Sequence, residues 1–497
     1  MRISGFASGL DIDSIVKQLM TAQKAPLDKL NQQKQLVEWK REDYRTVSTK
    51  LVTFQEKLSS LSLSSAIDAK KTVISGASNV LTATPTGAAS NSVLNVEVIS
   101  LAKASTTVLQ GTAGATKISD IYTGGYNGTE NVIKIGDADP IVFNKDDTID
   151  SLMNKINSNS KTGVTAVYDS ASGKLSFTSK ATGKDNTIAL SGGLVSNSSL
   201  VIESTTPGTD AEVIINGIKT TQSSNRFTVN GLEISLNGTT PQGQSTQIEV
   251  TQDVDKTVET IKEFVNAYND TLSFLNSMTS QERYRTYLPL TTEQKEAMSE
   301  NEIKLWEEKS KSGMLKNDSI LNNTISQMRL AVMSDFTTDF TLPDGSVVKS
   351  MNLTNIGITT GDYQQKGKLQ IDENKLRAAI EANPDQVASF FKNVDGASNT
   401  GYSQTDGLFN RLKKIEQDSL KLISEKAGTS RFSTDPTTAF LPQSEMGDQL
   451  KSFDKRISDV QLRLNMLETR YYRQFTAMET AMNKYNSISS SLSSFIS

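Results

Sequence analysis

Residues 450–495 read LKSFDKRISDVQLRLNMLETRYYRQFTAMETAMNKYNSISSSLSSF. Leu450, Phe453, Ile457, Val460, Leu464, Leu467, Tyr471, Met478, Tyr485, Ile488, Leu492 and Phe495 fall on one register of alternating three- and four-residue steps, broken only by Gln474 and Ala481. That spacing is the seam of a coiled coil. It predicts one helix from near Met446 to the end, about 75 Å long over some fifty residues. Gln474 either fixes register or is passed over, with Phe475 beside it taking the contact. Beyond Tyr471 the outer faces fill with Ser and Asn, which are weak helix formers, so this part of the helix is marginal alone in water. Each seam side chain contributes roughly 1.5–3 kcal/mol only where a partner surface covers it. The seam, extended by Met482, therefore predicts an interface rather than a free end.

The opposite end of the chain has a matching character. In GLDIDSIVKQLM (9–20), Asp11 or Asp13 is placed to cap a helix whose one face carries Ile12, Ile15, Val16 and Leu19. Gly5 and Gly9 read as a flexible leader, since the Gly-x-x-x-x-Gly-Lys-Ser/Thr spacing of a phosphate loop does not occur. Pro26 predicts a break and a fresh helix start. From there to about Ser65 the apolar residues settle into heptads. Tyr44, Val47, Leu51, Phe54, Leu58 and Leu61 make a full seam, whereas Leu27, Leu30 and Val37 make a patchy one with Lys34 and Arg41 in positions a seam would fill. Trp39 on this helix reads as packing or as an inter-subunit contact, and Trp306 as bundle packing.

Between these ends the composition shifts twice. From about Thr72 to Thr251, Ser, Thr, Asn and Gly dominate. SVLNVEVISL, NVIKIG, GVTAVYD, KLSFTS, AEVIINGIKT and RFTVNGLEISLNG alternate as strands, with Gly124-Gly125 and Asn237-Gly238 among the turn signals. One amphipathic helix interrupts them, through Ile149, Leu152, Met153 and Ile156. The zone is long enough for two small β-rich domains, one inserted in the other. Helix then returns: Val254 to Leu275 keeps the three-four step, and TTEQKEAMSENEIKLWEEKSKSG and SILNNTISQMRLAVMSDF predict one helix each. A hairpin around Pro343, Asp344 and Gly345 follows. Next come two short helices broken before Pro384, and a helix ending at Gly428.

Composition narrows the chemistry. The 497 residues include no cysteine and no histidine, which removes disulfides, thiolate nucleophiles, the commonest general base and the commonest transition-metal ligands. Net charge is -4 without a long single-sign run, so no nucleic-acid partner is expected. No window approaches a membrane span, and no membrane insertion is expected. The start lacks the pattern of a removable signal peptide, so any export is expected by another route. Asp137/Asp139 and Asp146/Asp147 lack EF-hand spacing and read as turn residues. No catalytic, cofactor or metal residue is assigned. A histidine-free glycosidase with two carboxylates would need a pair that nothing here pins.

ISGFASGLDIDSIVKQLMTAQKAPLDKLNQQK (3–34) closely resembles the N-terminus of the flagellar filament-capping proteins, the hook-associated protein 2 family. LETRYYRQFTAMETAMNKYNSISSSL (467–492) is similar to that family's C-terminal signature. AEVIINGIKTTQSSNRFTVNGLEISLNGTT (211–240) looks like the Ile-Asn motif shared with flagellins, and GKLQIDENKLRAAIEANPDQVASFF (367–391) resembles another family segment. Only about 110–200 lacks a specific match.

The resemblance implies an α+β, multidomain protein: terminal helical coiled-coil legs and a helical bundle domain, plus two β-rich head domains inserted in the middle of the chain. The expected boundaries are 1–43 with 446–497 for the leg, 44–71 with 252–445 for the bundle and its hairpin, 72–106 with 201–251 for one head domain and 107–200 for the variable inserted one. The implied function is a structural cap at the distal end of the bacterial flagellar filament, where exported flagellin folds, inserts and is kept from being lost. The implied partners are other copies in a ring, five being expected, together with flagellin, hook-associated junction proteins, the flagellar export apparatus and an export chaperone at the C-terminal helix. No cofactor and no enzyme activity are implied, and the place is extracellular, at the flagellum tip. Ile12, Ile15, Val16, Leu19, Leu27, Leu30, Val37, Leu464, Leu467, Tyr471, Phe475, Met478, Met482, Tyr485, Ile488, Leu492 and Phe495 are the expected interface residues. Met1 to about Lys40 and about Tyr472 to Ser497 are expected to be disordered in the monomer and helical in the cap. The competing readings are a hook–filament junction component, a filament subunit, or a tip adhesin whose β domain binds mucin or other glycans.

Overall fold

The structure, a computed structural model, describes residues 9–341, 345–395, 401 and 403–496. The chain forms two compact units, Met1–Ile67 with Asp255–Ser497 and, between them in sequence, Asp68–Val254.

Helix α1 (Ile12–Leu61) begins at Asp11, whose carboxylate accepts the Ser14 N–H at 3.0 Å. The break that Pro26 predicts is absent, and α1 runs through it. Proline inside a helix costs about 3 kcal/mol. Ile12, Val16 and Met20 before it and Leu30 after it are buried, and four such side chains together outweigh that cost. The second half of α1 buries the expected seam from Tyr44 to Leu61. A single turn, α2 (Ser64–Ile67), follows.

The middle unit holds the strands β1 (Lys70–Gly76), β2 (Leu81–Pro85), β3 (Ser92–Ser100), β4 (Ala104–Gln110), β5 (Val132–Ile135), β6 (Ile141–Val142), β7 (Val164–Asp169), β8 (Lys174–Thr182), β9 (Leu190–Ser191), β10 (Val201–Thr206), β11 (Ala211–Ile215), β12 (Ile218–Gln222), β13 (Arg226–Val229), β14 (Leu232–Leu236) and β15 (Thr246–Gln252). Its helices are α3 (Ile149–Ser158) and α4 (Gly193–Ser196). Two cores result. One joins the sheet β1-β15-β3-β11-β12 to β13-β14-β2 through Leu94, Val96, Val213, Leu232, Ile234 and Ile248. Two-residue Asn-Gly turns close both of its hairpins: Asn216-Gly217 and Asn230-Gly231 have positive φ at both positions, the twist that tight antiparallel hairpins require. The other core packs α3 and β6-β5-β9 with the sheet β10-β4-β8-β7 around Phe143, Leu152, Leu175 and Phe177. Strand β4 leads into this second core and β10 leads out, and the two are paired.

Strands β1, β2, β4, β6, β9, β10 and β15 have no counterpart among the strands the alternation predicts. β4 shows why: its buried positions include Ser105 and Thr107 beside Leu109, so its inward face reads as polar. The Ser105 hydroxyl donates to the Asn186 carbonyl, which satisfies it inside the sheet.

The terminal unit continues with α5 (Val254–Ser280), α6 (Thr292–Glu296), α7 (Glu300–Lys311), α8 (Ser319–Met333), β16 (Phe336–Thr341), β17 (Val347–Met351), β18 (Ile358–Thr360), β19 (Leu369–Ile371), α9 (Glu373–Ala382), α10 (Pro384–Lys392), α11 (Leu408–Ala427) and α12 (Glu445–Ile496). The single helix predicted over TTEQKEAMSENEIKLWEEKSKSG is two, because Thr291 and Ser299 each form a capping box, with Gln294 and Glu302. β16 and β17 form the expected hairpin; Pro343 and Asp344 lie outside the described residues, and Gly345 has φ +87°. Gly428 ends α11 in the left-handed conformation. Phe264, Phe391 and Phe409 meet at ring separations of 5.2–5.8 Å in the bundle core.

The same core holds a carboxylate at odds with its surroundings. Glu416 on α11 is fully buried and neither oxygen has a hydrogen-bond partner among the described residues. Burial drives its pKa well above the usual 4.5, with Lys413 opposing. Asp43 on α1 is pushed up to about 6, by burial first and by Glu42 second. Groups whose folded pKa is raised bind more protons folded than unfolded, so stability falls as pH rises past the unfolded value. Chemical denaturation from pH 4 to 8 is expected to show the bundle weakening as pH rises, with about 1.4 kcal/mol lost per unit of raised pKa. Glu416→Gln is expected to be more stable than the parent at pH 7 and to flatten that slope.

Candidate functional site

The site is the pair formed by α1 and α12. The two helices run antiparallel. The Tyr472 hydroxyl donates to Asp13 Oδ1 at 2.9 Å near one end, and Lys34 Nζ lies 2.7 Å from Asp454 near the other. Between them Ile12, Val16 and Met20 are buried against Leu464, Leu467, Tyr471, Tyr472 and Phe475. These are steps of four on α1, so the contact face is centred on Val16. Ile15 is half-buried and Leu19 is exposed. Leu30 is buried, while Leu27 and Val37 are half-buried. Gln474 is exposed and Phe475 takes the contact.

The polar seam positions have specific uses. The carboxylate of Asp454 hydrogen-bonds the Lys34 ammonium and holds its pKa above the ordinary value. Arg41 turns out of the seam: Nε donates to the Ala427 carbonyl at 2.6 Å and Nη2 to the Leu441 carbonyl at 3.0 Å, and the guanidinium lies 4.1 Å from the Phe440 ring. Arg45 lies 3.7 Å from that ring and donates to the Pro436 carbonyl. The two arginines thus strap residues 428–441 across α1, using the Ala427 carbonyl that α11 leaves open at its C-terminus and the loop carbonyls of Pro436 and Leu441.

On the other side of α1, the α6–α7 segment is anchored by Gln32 Nε2, which donates to the Pro289 carbonyl at 2.7 Å, and by the Lys24–Glu293 pair at 3.7 Å. Trp306 packs on Tyr287 at 4.6 Å and donates to the Leu288 carbonyl. Trp39 is half-buried under the Lys311 ammonium, 5.1 Å away.

Past Met478, which is half-buried, Glu479 is still buried, and the seam side chains that follow turn outward. Met482 is exposed, and Tyr485, Ile488 and Leu492 are 69%, 50% and 59% exposed. The Phe495 side chain lies outside the described residues. Met20, Tyr472, Asp13 and Asp454 belong to the pair and are absent from the expected interface. Met20 continues the Ile12–Val16 spacing, and Tyr472 falls just off the strict seam, where an adjacent aromatic was the available signal. Among the described residues no cluster of three acidic, histidine or cysteine side chains could hold a metal, and no helix is long and apolar enough to cross a membrane. Asp147 serves a turn: it accepts from the Lys155 ammonium, which chiefly lowers its pKa, and from the Asn144 N–H.

Comparison with known proteins covers both helices. The chain matches the family profile described as flagellar hook-associated protein 2 C-terminus over residues 208–487, and the corresponding N-terminus profile over 8–105. The flagellin hook IN motif is matched at 132–181, on β5 through β8, and the stretch 211–240 falls within the C-terminal match. The 211–240 stretch is two hairpins of alternating strands, whereas 132–181 places strands on either side of helix α3. Flagellar hook-associated protein 2 of Halalkalibacterium halodurans is 34% identical over 100% of this chain and 99% of its own. That of Escherichia coli is 28% identical over 98% and 96%. A crystal structure of the D1-D2-D3 domains of the Escherichia coli flagellar cap protein FliD aligns with a TM-score of 0.49 at 22% identity, over 76% of this chain and 96% of that one.

The strap offers a direct check. Each of its arginines makes charge-assisted hydrogen bonds worth about 1.5–3 kcal/mol. The Arg41→Ala/Arg45→Ala variant is expected to expose residues 428–441, so that limited trypsin digestion cuts after Arg431 at least tenfold faster than in the parent.

Proposed function

The chain belongs to the flagellar hook-associated protein 2 family, and from that premise we propose how its paired terminal helices serve the flagellum. The protein is a structural cap at the distal end of the flagellar filament, required for elongation because exported flagellin folds and inserts beneath it instead of escaping. Its work is mechanical and needs no covalent step. It acts outside the cell, at the flagellum tip, together with flagellin.

The observation that carries the reading of the site is the seam that α12 continues beyond its partner. Tyr485, Ile488 and Leu492 keep the coiled-coil spacing yet face solvent, and an apolar row of that kind calls for a cover. In this reading neighbouring copies and the inner wall of the filament supply it, with Met478, Met482 and Phe495 on the same row. Ile12, Val16, Leu30, Leu464, Leu467, Tyr471 and Phe475 hold the pair itself, and Ile15, Leu19, Leu27 and Val37 extend it toward the neighbouring copy. Five copies close the ring. Before assembly an export chaperone masks the exposed part of α12, and the chain leaves through the flagellar export apparatus to meet the hook-associated junction proteins. The leg comprises 1–43 and 446–497, the bundle 44–71 and 252–445, and the head 72–106 with 201–251, into which 107–200 is inserted.

A seam that includes Met478 and is interrupted by Gln474, with Ser on its outer faces, gives contacts that break and reform as the cap advances, since Met adapts to irregular surfaces. We infer that residues 12–40 and 472–496, paired in the single chain, open readily there and gain their full order only in the assembly. Amide exchange on dilute monomer is expected to be fast in both stretches and to slow by at least tenfold in the ring; equal protection in both states overturns this.

The function itself is tested in cells lacking the native protein. The Tyr485→Ser/Ile488→Ser/Leu492→Ser variant removes side chains each worth roughly 1.5–3 kcal/mol when covered. It is expected to give short filaments, lost swimming and flagellin released to the medium, with the parent protein labelling only the distal tip. Filaments of normal length with the variant would show that this row is not the interface.

A further inference from the structure

The two flanks of α1 carry opposite charge at overlapping heights. On one flank a groove of about 440 Å³ opens between α1 and α12, with Pro26, Leu30 and Val460 as its apolar floor and Lys29, Arg456 and Arg463 along it. Asp459 is the one carboxylate in its lining. Lys29 and Arg463 have no ion pair among the described residues, and Arg456 has only the Phe453 ring, 5.8 Å away.

On the other flank the α6–α7 segment is anchored to α1 and turns a surplus of negative charge outward. Glu296, Glu300 and Glu308 are exposed and make no ion pair among the described residues, and Lys304, one helical turn from both Glu300 and Glu308, is the exposed cation between them. Leu305, between them, is 55% exposed. The groove behind the segment, about 520 Å³, is lined by Asp28, Trp39 and Glu307 among others. Burial and then the neighbouring Glu293 hold the Asp28 carboxyl above the usual carboxylate range.

At 3.6 residues per turn, Pro26, Lys29 and Gln33 point close to half a turn away from Asn31, Gln35 and Trp39. The two sets overlap along α1 between Asn31 and Gln33, and their centres are about six residues apart, on the order of 8 Å.

We propose that the basic groove of one copy receives the acidic α6–α7 segment of the next copy around the ring. The contact is heterologous, one surface meeting a different one, which is the type that closes into a ring when the rotation allows. Because the two surfaces overlap in height, successive copies join side by side. Charge steers the encounter and rejects groove-to-groove pairing, while Leu305 supplies an apolar side chain for the floor of Leu30 and Val460. This inference rests on the reading of the chain as a ring-forming cap.

The test uses the full-length chain and measures oligomer mass by mass photometry between about 50 mM and about 500 mM salt, across which exposed charges become screened. K29E/R456E/R463E and E296K/E300K/E308K are each expected to reduce the ring population by at least tenfold at low salt, with parental circular dichroism. The six-fold variant that carries both sets is expected to restore it. Rings from either triple variant at the parental level, or no recovery in the six-fold variant, overturn the pairing; the second result assigns the groove to another protein, flagellin being the one to add next. Tip labelling by the parent in cells is scored separately: its absence sinks the cap reading, while its presence alongside unaffected triple variants sinks only the contact proposed here.

Discussion

The whole arrangement depends on burying Val16. This one side chain is at the centre of the face that α1 turns to α12, with Ile12 and Met20 above and below it and the Leu464–Phe475 stretch opposite. Without that contact, the N-terminal half of α1 would be a proline-containing helix with a polar seam, which has little reason to persist in water. With it, residues near the two ends of a 497-residue chain are fixed side by side, and every other polar contact of the pair falls into place around them. The Tyr472–Asp13 and Lys34–Asp454 contacts set the register, and Arg41 and Arg45 tie the neighbouring loop down.

Much of this was legible in the residues because coiled-coil spacing is a strong signal over a long stretch. The seams of α12 and of the second half of α1 stand out without any tertiary knowledge. What was not legible followed from contacts between distant parts of the chain. Pro26 marks a local cost, and only the packing on α12 shows that the cost is met. Lys34 and Arg41 look like errors in a seam until Asp454 and the carbonyls of Ala427 and Leu441 are known to lie beside them. The split between α6 and α7 was available locally, in Ser299 and Glu302, but a continuous polar helical pattern concealed it.

The β-rich unit shows a different limit. Strands with alternating Val and Ile were readable, whereas β4 was not, because buried Ser105 and Thr107 replace apolar residues on its inner face. The same ambiguity explains the place of the IN motif. Residues 211–240 carry two Asn-Gly hairpins that look distinctive, yet the motif lies at 132–181, where strands bracket the Thr148-capped helix α3. Turn chemistry alone says where a chain reverses, and not which supersecondary unit it belongs to.

Strands β4 and β10 are hydrogen-bonded to each other where the chain enters and leaves the second core of that unit. A doorway of that kind has a fixed width whatever lies behind it. Residues between 110 and 174 can therefore be lengthened or shortened so long as β8 and β10 still flank β4 and the ties from the Thr182 hydroxyl to the Ser223 carbonyl and from the Lys184 N–H to Asp210 are kept.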